Sequence, residues 1–458
     1  MFNFIKSSPS LDLHSLIIIR NGAIISETYW HPYDINTTHN IKSASKSILS
    51  ALTGIAIERK CIKSIDQKIS EFLPKDFLDS LKSEILIYNL LTMTTGLDWK
   101  EDVGPTPFEI ESWKKVPMKN KPGEKFEYNT AMTHMMSTIL TSTCGNNTKE
   151  FADLWLFKPL KINNYQWRLN DNGIYHGGSN LFLTPRDMGK FGLLYLNKGN
   201  WGNQKIVTED WIKSSTSKVF DIPNEQNPTE DYGYWWWIQN NTYMAYGAGG
   251  QIIKINPQLN LVIVITANSF NDQNTFDNTF DKITNKYIYP AVKSTKSLSE
   301  KPENIEKLKE INNEFKYPPL NESKYELSDT YLVSNKTYIL AHNSIGIKSI
   351  SLCFTDTSCI WTYRIYDKEI KLHIGLANRC IINEVDFSLG VNPVGEKIAC
   401  KGEWVGNAFK IEHHIIGDPS KQTFSFSFSG DSILMNIGSS MMRLEIKGKE
   451  ITKNETDE

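Results

Sequence analysis

A serine and a lysine three positions apart carry the clearest chemical signal in this chain. Ser43 and Lys46 form the pattern S-x-x-K at the start of a segment whose apolar residues recur at mostly helical spacing up to about Arg59. Residues i and i+3 share one face of a helix, so the Lys46 amine can reach the Ser43 hydroxyl. Because unpaired N–H groups in a first helical turn favour a developing negative charge, the spacing predicts an activated serine nucleophile.

The four-letter pattern alone is weak evidence, because it occurs twice more. Ser112 to Lys115 lies in a charged, proline-flanked stretch, and Ser215 to Lys218 lies in a polar run. An isolated S-x-x-K is most often an ordinary helix start with a solvated lysine. The segment at Ser43 is the one with an apolar helical setting, so we assign the nucleophile there.

Two further elements follow in an order that the chemistry can use. Tyr128 comes after the turn residues Pro122-Gly123 and before a helix-like run over 131–140. Residues 246–251 (Tyr-Gly-Ala-Gly-Gly-Gln) then open an apolar strand, and such a strand edge leaves an N–H free to donate to an oxyanion. Taken singly, the tyrosine reads as a packing aromatic and the glycines as a bent strand. Their order after Ser43 favours a catalytic interpretation of both.

Several longer phrases strengthen this interpretation by resemblance. The sequence resembles the serine hydrolase superfamily of class C β-lactamases, DD-peptidases, family VIII carboxylesterases and aminohexanoate-oligomer hydrolases, for which S-x-x-K is a known signature. The matching phrases are, in chain order, residues 43–47 (SASKS), 90–97 (LLTMTTGL), 156–160 (LFKPL), 183–188 (LTPRDM) and 249–251 (GGQ). Together they cover about residues 14–290, which makes chance convergence improbable.

The resemblance implies a division of labour around an acyl-enzyme. Ser43 is the nucleophile, Lys46 takes its proton, and Tyr128 relays a proton to the leaving group, although which group is the true base differs between accounts of the superfamily. The N–H groups of Ser43 and Gly250 form the oxyanion hole, with Gln251 as the alternative second donor. The predicted substrate contacts are Asn129, Thr130, Trp237, Gly249 and Gln251.

Roles can also be predicted for further residues near the site. Trp235-Trp236-Trp237 alternates in a predicted strand, so one ring should face the core and another, Trp237, should meet substrate. The small-residue loop 176–180 is predicted to line the cleft. Arg186 and Asp187 are expected to cap a helix and form a structural pair.

Two departures from the superfamily pattern bear on substrate. The usual Y-x-N is replaced by Tyr128-Asn129-Thr130, and residues 247–249 read Gly-Ala-Gly where β-lactamases have K-T-G. The amide, lysine and threonine that meet a β-lactam are therefore missing. We expect weak or absent β-lactamase activity and a preference for neutral or differently charged esters and amides.

Two classes of function remain open at this level. The first is a turnover enzyme, an esterase, amidase or peptidase that acts on a small molecule or short peptide through Ser43. The second is a penicillin-receptor-like binding or sensor protein that is acylated without turnover. Retention of Ser43, Lys46 and Tyr128 argues against a relative with no chemistry.

Composition excludes several other classes of partner. The chain has 50 Lys+Arg and 52 Asp+Glu residues, so it has no strong field for nucleic acid or an anionic membrane, and small molecules are the expected partners. No run of 18 apolar residues predicts a membrane span. The six cysteines are widely spread and form no C-x-x-C, and the nine histidines show no ligand spacing, so we predict free thiols, no metal site and no cofactor. Oligomeric state is not predicted.

The N-terminal residues bear on localisation. Residues 1–13 contain no basic region followed by a long apolar core, so a cytoplasmic location is expected for the sequence as it stands. If a leader has been removed, the location is periplasmic or extracellular.

The fold class follows from the order of the predicted elements. A hairpin at Asn21-Gly22 comes first, a mainly helical segment spans 43–211, further strands span 235–267, and a closing helix covers 276–292. Strands from both ends of this region, around a helical insert, predict an α+β fold: a β-lactamase-like antiparallel sheet flanked by helices, with a helical subdomain.

The composition changes near Lys293, and further along the chain apolar residues recur at every second position. Phe424, Phe426 and Phe428 alternate with serines, so the C-terminal region reads as an antiparallel β barrel or sandwich. We predict a hydrolase domain at 1–295, a linker with a short helix at 296–320 and a β-rich accessory domain at 321–458. The accessory domain either stabilises or covers the enzyme, or binds carbohydrate or a partner.

Overall fold

The structure is a computed structural model. It describes residues 1–8, 11–73, 81–99, 110–221, 231–270, 272–296, 299, 301–318, 332–385, 396–438 and 443–451. The α-helices are α1 (Phe2–Lys6), α2 (Ser45–Glu58), α3 (Ile87–Leu91), α4 (Ile110–Lys115), α5 (Thr130–Thr143), α6 (Thr148–Ala152), α7 (Pro185–Leu196), α8 (Glu209–Ser215), α9 (Gln273–Lys282) and α10 (Pro302–Lys316). Single 3-10 turns lie at Lys42–Ala44, Ile69–Phe72, Lys82–Glu84 and Tyr289–Ala291, and π-helical turns lie at Asp153–Phe157 and Ile283–Ile288.

The strands fall into an N-terminal and a C-terminal set. The first set is β1 (Asp12–Arg20), β2 (Ala23–Tyr29), β3 (His39–Asn40), β4 (Tyr165–Trp167), β5 (Leu181–Leu183), β6 (Asn200–Trp201), β7 (Gln204–Lys205), β8 (Phe220–Asp221), β9 (Asp231–Tyr232), β10 (Trp237–Gln239), β11 (Thr242–Gly247), β12 (Gln251–Asn256) and β13 (Leu261–Asn268). The second set is β14 (Lys336–Leu340), β15 (Ile347–Phe354), β16 (Ser358–Ile365), β17 (Lys368–Gly375), β18 (Ile381–Val385), β19 (Glu396–Val405), β20 (Ala408–Ile415), β21 (Lys421–Ser429), β22 (Ser432–Gly438) and β23 (Arg443–Glu450).

The main sheet joins strands from both ends of the N-terminal region. Among the described residues it has eight antiparallel strands in the order β2-β1-β13-β12-β11-β10-β9-β8. The predicted hairpin at Asn21-Gly22 is present, and β1 pairs on its other side with β13, so that Arg20 lies opposite Leu261. The predicted antiparallel sheet around a helical insert is confirmed.

Both faces of this sheet are covered. Successive side chains of a strand point to opposite faces, so Ile17 and Ile19 of β1 join the core on the side of α2 and α7, whereas Leu16 and Ile18 join a second core with α1 and α9. This explains why β1 reads as a continuous apolar run. The predicted closing helix is α9, which continues through the π-helical turn and the 3-10 turn to Ala291.

Helix α2 is central to the first core. All residues from Ser45 to Ala56 are buried, and small residues make close neighbours possible: a Cβ on Gly54 would lie 2.4 Å from the Trp211 ring. The sequence predicts a helix from Ser43, but the α-helix begins at Ser45 and the preceding 3-10 turn carries Ser43. Ser43 thus lies directly before a fully packed helix.

The C-terminal strands form a barrel, which decides between the two predicted architectures. Nine strands, in the order β17-β16-β15-β14-β23-β22-β21-β20-β19, close through pairing of Gly375 with Lys401, and β18 adds to β19 outside this ring; this count holds for the described residues. Phe424 and Phe426 point into the barrel core and Ser425 points away, as the period-two pattern predicts.

Helix α10 lies in the predicted linker segment and packs against the first sheet. The Asn312 side chain accepts a hydrogen bond from Thr28 Oγ1 at 2.7 Å and donates one to the Glu27 carbonyl at 3.0 Å. The Phe315 ring contacts Trp30 with 4.8 Å between centroids. The helix is therefore docked on β2, and the predicted boundary at 320–321 lies outside the described residues.

The strand predicted to begin at Trp235 begins two residues later. Trp235 has φ +64, which no β-strand residue adopts, and β10 starts at Trp237. Both Trp235 and Trp236 are buried in the core, so strict alternation across this triplet was wrong. The kink is held by Ser47 Oγ, which donates to the Trp235 carbonyl at 2.6 Å.

Candidate active site

Ser43 lies in the 3-10 turn that precedes α2, at the edge of the hydrophobic core. Lys42 has φ +48, and its N–H donates to Asn40 Oδ1 at 3.2 Å, which stabilises an otherwise unfavourable backbone conformation. Ser45 Oγ donates to the Lys42 carbonyl at 2.6 Å. Ser43 itself is partly exposed, so a substrate can reach its hydroxyl.

The Lys46 side chain is buried and ends on the Ser43 hydroxyl. It is 1% exposed, and its Nζ lies 2.8 Å from Ser43 Oγ and 3.2 Å from the Gly178 carbonyl oxygen. The Nζ also lies 5.0 Å from the centroid of the Tyr128 ring. These neighbours are uncharged, and Lys46 forms no ion pair with a carboxylate within the described residues. The predicted serine, lysine and tyrosine are thus brought together around one amine.

The loop predicted to line the cleft packs behind Lys46. A Cβ on Gly177 would lie 2.1 Å from the Thr133 carbonyl oxygen, and one on Gly178 would lie 2.4 Å from Thr133 Oγ1 and 3.3 Å from Lys46 Cε. Burial lowers the pKa of His176, at the start of this loop, to about 4. The glycines therefore let the loop backbone approach α5 and offer a carbonyl to the amine, instead of facing substrate.

Aromatic side chains border Tyr128 and Trp237. The two rings stack with 6.0 Å between centroids and 22° between planes, and Tyr232 meets Trp237 edge-on at 4.9 Å. Phe126 also packs edge-on against Tyr232 at 5.2 Å. Trp237 thus lies beside the predicted tyrosine, and Phe126 and Tyr232 complete an aromatic wall that sequence reasoning missed, since isolated aromatics carry no spacing signal.

Asn129 is the N-cap residue of α5. Its side chain is fully buried, and its Oδ1 accepts a hydrogen bond from the Ala131 N–H at 2.8 Å, which caps the N-terminus of α5. Asn129 therefore has a structural role through Oδ1, and its contact with substrate stays a prediction. Thr130, the first residue of α5, is also mostly buried, and its carbonyl accepts a hydrogen bond from Thr133 Oγ1.

The turn between β11 and β12 lies against the 3-10 turn that carries Ser43. A Cβ on Gly247 would lie 2.1 Å from the Ile41 carbonyl oxygen and 3.1 Å from the Ala44 nitrogen. Gly249 and Gly250 have φ +81 and +86, a backbone that favours glycine. Among the backbone hydrogen bonds of the described residues outside helices and strands, none is donated by the Ser43 or Gly250 N–H.

Gln251 supports that turn from beneath. Its side chain is fully buried, and Nε2 donates to the carbonyl oxygens of Gly249 at 3.0 Å and Ala267 at 2.6 Å. The Gln251 side chain thus braces the Gly249-Gly250 backbone, and its contact with substrate stays a prediction.

The competing S-x-x-K segments lack this arrangement where they are described. Ser215 is buried at the end of α8, and its Oγ donates to the Ile212 carbonyl at 3.1 Å. Lys218 pairs with Asp231 at 2.9 Å. The Ser112 side chain lies outside the described residues.

Arg186 and Asp187 have the predicted structural roles. Arg186 binds both carboxylate oxygens of Glu27, at 2.7 and 2.6 Å, and Asp187 accepts a hydrogen bond from Thr184 Oγ1 at the start of α7. Sequence reasoning missed a further ion pair, Lys42 with Asp418 at 2.9 Å, because its partners are 376 positions apart.

Other types of site were also sought. No group of three or more His, Cys, Asp or Glu side chains in the described ranges is arranged to hold a metal ion. All six cysteines are unpaired. Among the described helices, none combines the length and apolar character that a membrane crossing needs.

Comparison with known proteins agrees with the fold. The family model of β-lactamases matches residues 14–286, more than half of the 458 residues. The chain therefore belongs to the β-lactamase family, within the serine β-lactamase-like superfamily that the sequence phrases resemble.

Individual relatives are distant. An uncharacterised protein of Alkalihalophilus pseudofirmus is 26% identical over 326 residues, which is 60% of this chain and 90% of that protein. The 6-aminohexanoate-dimer hydrolase of Paenarthrobacter ureafaciens is 20% identical over 55% of this chain and 71% of its own length. The octameric penicillin-binding protein homologue from Pyrococcus abyssi, 14% identical, superposes with a TM-score of 0.51 over 98% of both chains. In this last case the two chains share their fold over nearly the whole length, including the C-terminal barrel.

Proposed function

We propose that this protein is a serine hydrolase that cleaves an ester or amide of a small molecule or short peptide through an acyl-enzyme on Ser43. The carrying observation is the buried Lys46 amine, 2.8 Å from Ser43 Oγ and next to the Tyr128 ring. The family supports a hydrolase, and one relative is named for hydrolysis of a 6-aminohexanoate dimer.

In the acylation step, Ser43 Oγ bonds to the substrate carbonyl carbon while Lys46 takes the hydroxyl proton. The carbonyl oxygen becomes an oxyanion that accepts hydrogen bonds from the Ser43 and Gly250 N–H groups. The bond to the leaving group then breaks as Tyr128 donates its phenolic proton to that group and regains a proton from Lys46. The products of this step are an ester of Ser43 and a free alcohol or amine.

In the deacylation step, water replaces the leaving group. As the water oxygen bonds to the acyl carbon, Tyr128 takes one proton from the water and passes its own phenolic proton to Lys46. The ester bond to Ser43 breaks, the serine oxygen regains a proton, and a carboxylic acid leaves. The same donors hold the second oxyanion, so one site serves both steps.

The surroundings of Ser43 favour uncharged, partly apolar substrates. Phe126, Tyr128 and Trp237 are partly exposed aromatic side chains, and the buried Tyr232 ring packs behind them. Lys42 is engaged by Asp418, and residues 247–248 supply no cation for a substrate carboxylate. We therefore propose weak or absent β-lactamase activity. We assign the reaction to residues 1–295 and treat 321–458 as an accessory domain joined through 296–320.

A fluorophosphonate probe followed by intact-mass measurement tests the proposal. We expect one adduct on the wild type, none on Ser43→Ala, and a fall of about 10³-fold or more in p-nitrophenyl acetate hydrolysis for Ser43→Ala. Ser215→Ala is the matched control and should keep full turnover. Unchanged turnover by a folded Ser43→Ala would remove Ser43 from the mechanism. A single stoichiometric acylation by esters and amides, without release of acid, would identify an acylated sensor instead.

A further inference from the structure

A loop of the C-terminal barrel reaches the catalytic turn. This loop, residues 416–420 between β20 and β21, is termed the barrel loop. The Asn40 N–H donates to the Gly417 carbonyl at 2.6 Å. Gly417 has φ +85, and a Cβ there would lie 2.3 Å from the Thr38 carbonyl oxygen. Close backbone approach thus fixes the barrel loop against the segment that leads into Ser43.

Asp418 anchors the barrel loop beside the nucleophile. Its Oδ2 accepts hydrogen bonds from Lys42 Nζ at 2.9 Å and from Asn40 Nδ2 at 3.4 Å, and its Oδ1 accepts one from the Ser420 N–H at 3.1 Å. Burial acts to raise the pKa of Asp418, but the Lys42 charge and the Ser420 hydrogen bonds outweigh it, so this pKa lies below its ordinary value. Both partners of the ion pair are mostly buried, so water screens it weakly.

Pro419 is buried and packs against Gly249 on the other flank of the site. A Cβ built on Gly249 would lie 2.8 Å from Pro419 Cβ and 3.1 Å from Phe270 Cε2. Gly249 directly precedes Gly250, the proposed oxyanion donor, and the proline ring is stiff. The barrel loop therefore contacts the residue before the nucleophile and the residue before the second oxyanion donor.

We propose that the barrel loop is a wall of the active-site cleft, in which Pro419 limits the acyl groups accepted beside Gly249. Asp418 is the positioning residue that holds this wall to Lys42. A long or branched acyl group that runs past Gly249 meets the ring, whereas an acetyl group is too short to reach it. The preferred substrates are then short-chain acyl esters and amides. This inference rests on the proposed acyl-enzyme on Ser43.

The test compares p-nitrophenyl acetate, butyrate and octanoate with the full-length protein. Pro419→Ala should raise the ratio of kcat/KM for octanoate to that for acetate by about tenfold, the scale of one or two methylenes in a pocket. Pro290→Ala, a change at an exposed proline, should leave the ratio unchanged. An unchanged ratio in a folded Pro419→Ala, with Ser43→Ala inactive, would overturn the wall alone. Turnover retained by Ser43→Ala would overturn the reaction and the wall with it.

Asp418 variants test the positioning role separately. Asp418→Asn should raise the octanoate-to-acetate ratio in the same direction as Pro419→Ala, and Asp418→Glu, which keeps the charge, should raise it less. An equal loss of kcat/KM for all three esters, with no change in ratio, would contradict positioning and indicate general destabilisation. If Asp418→Asn does not fold, Pro419→Ala still decides, because it leaves the ion pair intact.

Discussion

Two segments of this chain carry the same S-x-x-K pattern in opposite settings. At the first, the Lys46 amine is buried and lies 2.8 Å from the hydroxyl of Ser43, which is partly exposed. At the second, the Ser215 hydroxyl is buried and donates to the Ile212 carbonyl, while the exposed Lys218 pairs with Asp231. In the first segment the serine is accessible and the lysine is buried, whereas in the second segment the serine is buried and the lysine is exposed.

Position along a helix explains why the difference matters chemically. Ser43 lies in the turn that leads into α2, where N–H groups are unpaired and the helix dipole is positive. Ser215 is the last residue of α8, where unpaired carbonyl groups and the negative end of the dipole disfavour an oxyanion. Identical letters therefore support a nucleophile only at the start of a helix, with the lysine inside.

The largest expected effect comes from removing each lysine in turn. Lys46→Met preserves the length of the buried side chain but deletes the proposed base, so kcat/KM for p-nitrophenyl acetate should fall by about 10³-fold. Lys218→Met should leave it unchanged. Steady-state kinetics on the two folded variants checks both expectations. Equal kcat/KM values for Lys46→Met and Lys218→Met would contradict a catalytic difference between the two S-x-x-K segments.

A smaller effect is expected from a substitution at Gly178, which packs against the Lys46 side chain. In Gly178→Ala the new methyl group meets Thr133 Oγ1 and crowds Lys46 Cε, so the amine shifts relative to Ser43. Because misplacement by about 1 Å can cost about 10²-fold in rate, activity should fall by that order. Gly438→Ala, in the barrel and 3.0 Å from Thr423 Oγ1, is the control that should keep full activity. Wild-type turnover by Gly178→Ala would show that the amine tolerates displacement.

Much of the fold was readable from local sequence. Asn21-Gly22 is a hairpin turn signal, β1 is a continuous apolar run buried on both faces, and the phenylalanines of β21 alternate with serines. Barrel closure was not readable, because it depends on pairing of Gly375 with Lys401 across the ring, which no local pattern encodes.

The candidate site was readable only where spacing or family phrases fixed it. The proximity of Ser43, Lys46 and Tyr128 was expected, but Asn129 caps a helix and Gln251 braces a turn, since letters do not tell which way a side chain points. The contact of Asp418 with Lys42 joins two distant parts of the chain and has no signal in either.

The histidines offer a second comparison between buried and exposed residues of the same type. Burial lowers the pKa of His14 and His39 well below the ordinary value and that of His413 to about 3, with neighbouring histidine charges acting in the same direction. Between that value and about 6.5 the unfolded chain binds more protons than the folded chain. This contribution to stability is thus fully present above about pH 6.5 and is lost as pH falls toward the folded pKa.

We therefore expect a lower urea unfolding midpoint at pH 5 than at pH 7.5, with each such histidine adding up to about 1.4 kcal/mol per pH unit. His413→Gln should flatten this dependence, and His342→Gln, at an exposed position, should not. Equal midpoints at both pH values would contradict the assignment.

The smallest expected effect returns to the second S-x-x-K segment. Lys218 and Asp231 keep 49% and 26% of their side chains exposed, so water and salt screen their attraction. Lys218→Met should therefore change the free energy of unfolding by less than about 1 kcal/mol, and 1 M salt should reduce even that difference. Urea denaturation at low and high salt measures it. A larger, salt-independent loss would mean that Lys218 stabilises the protein through other contacts, and the second segment would then be a structural element in its own right.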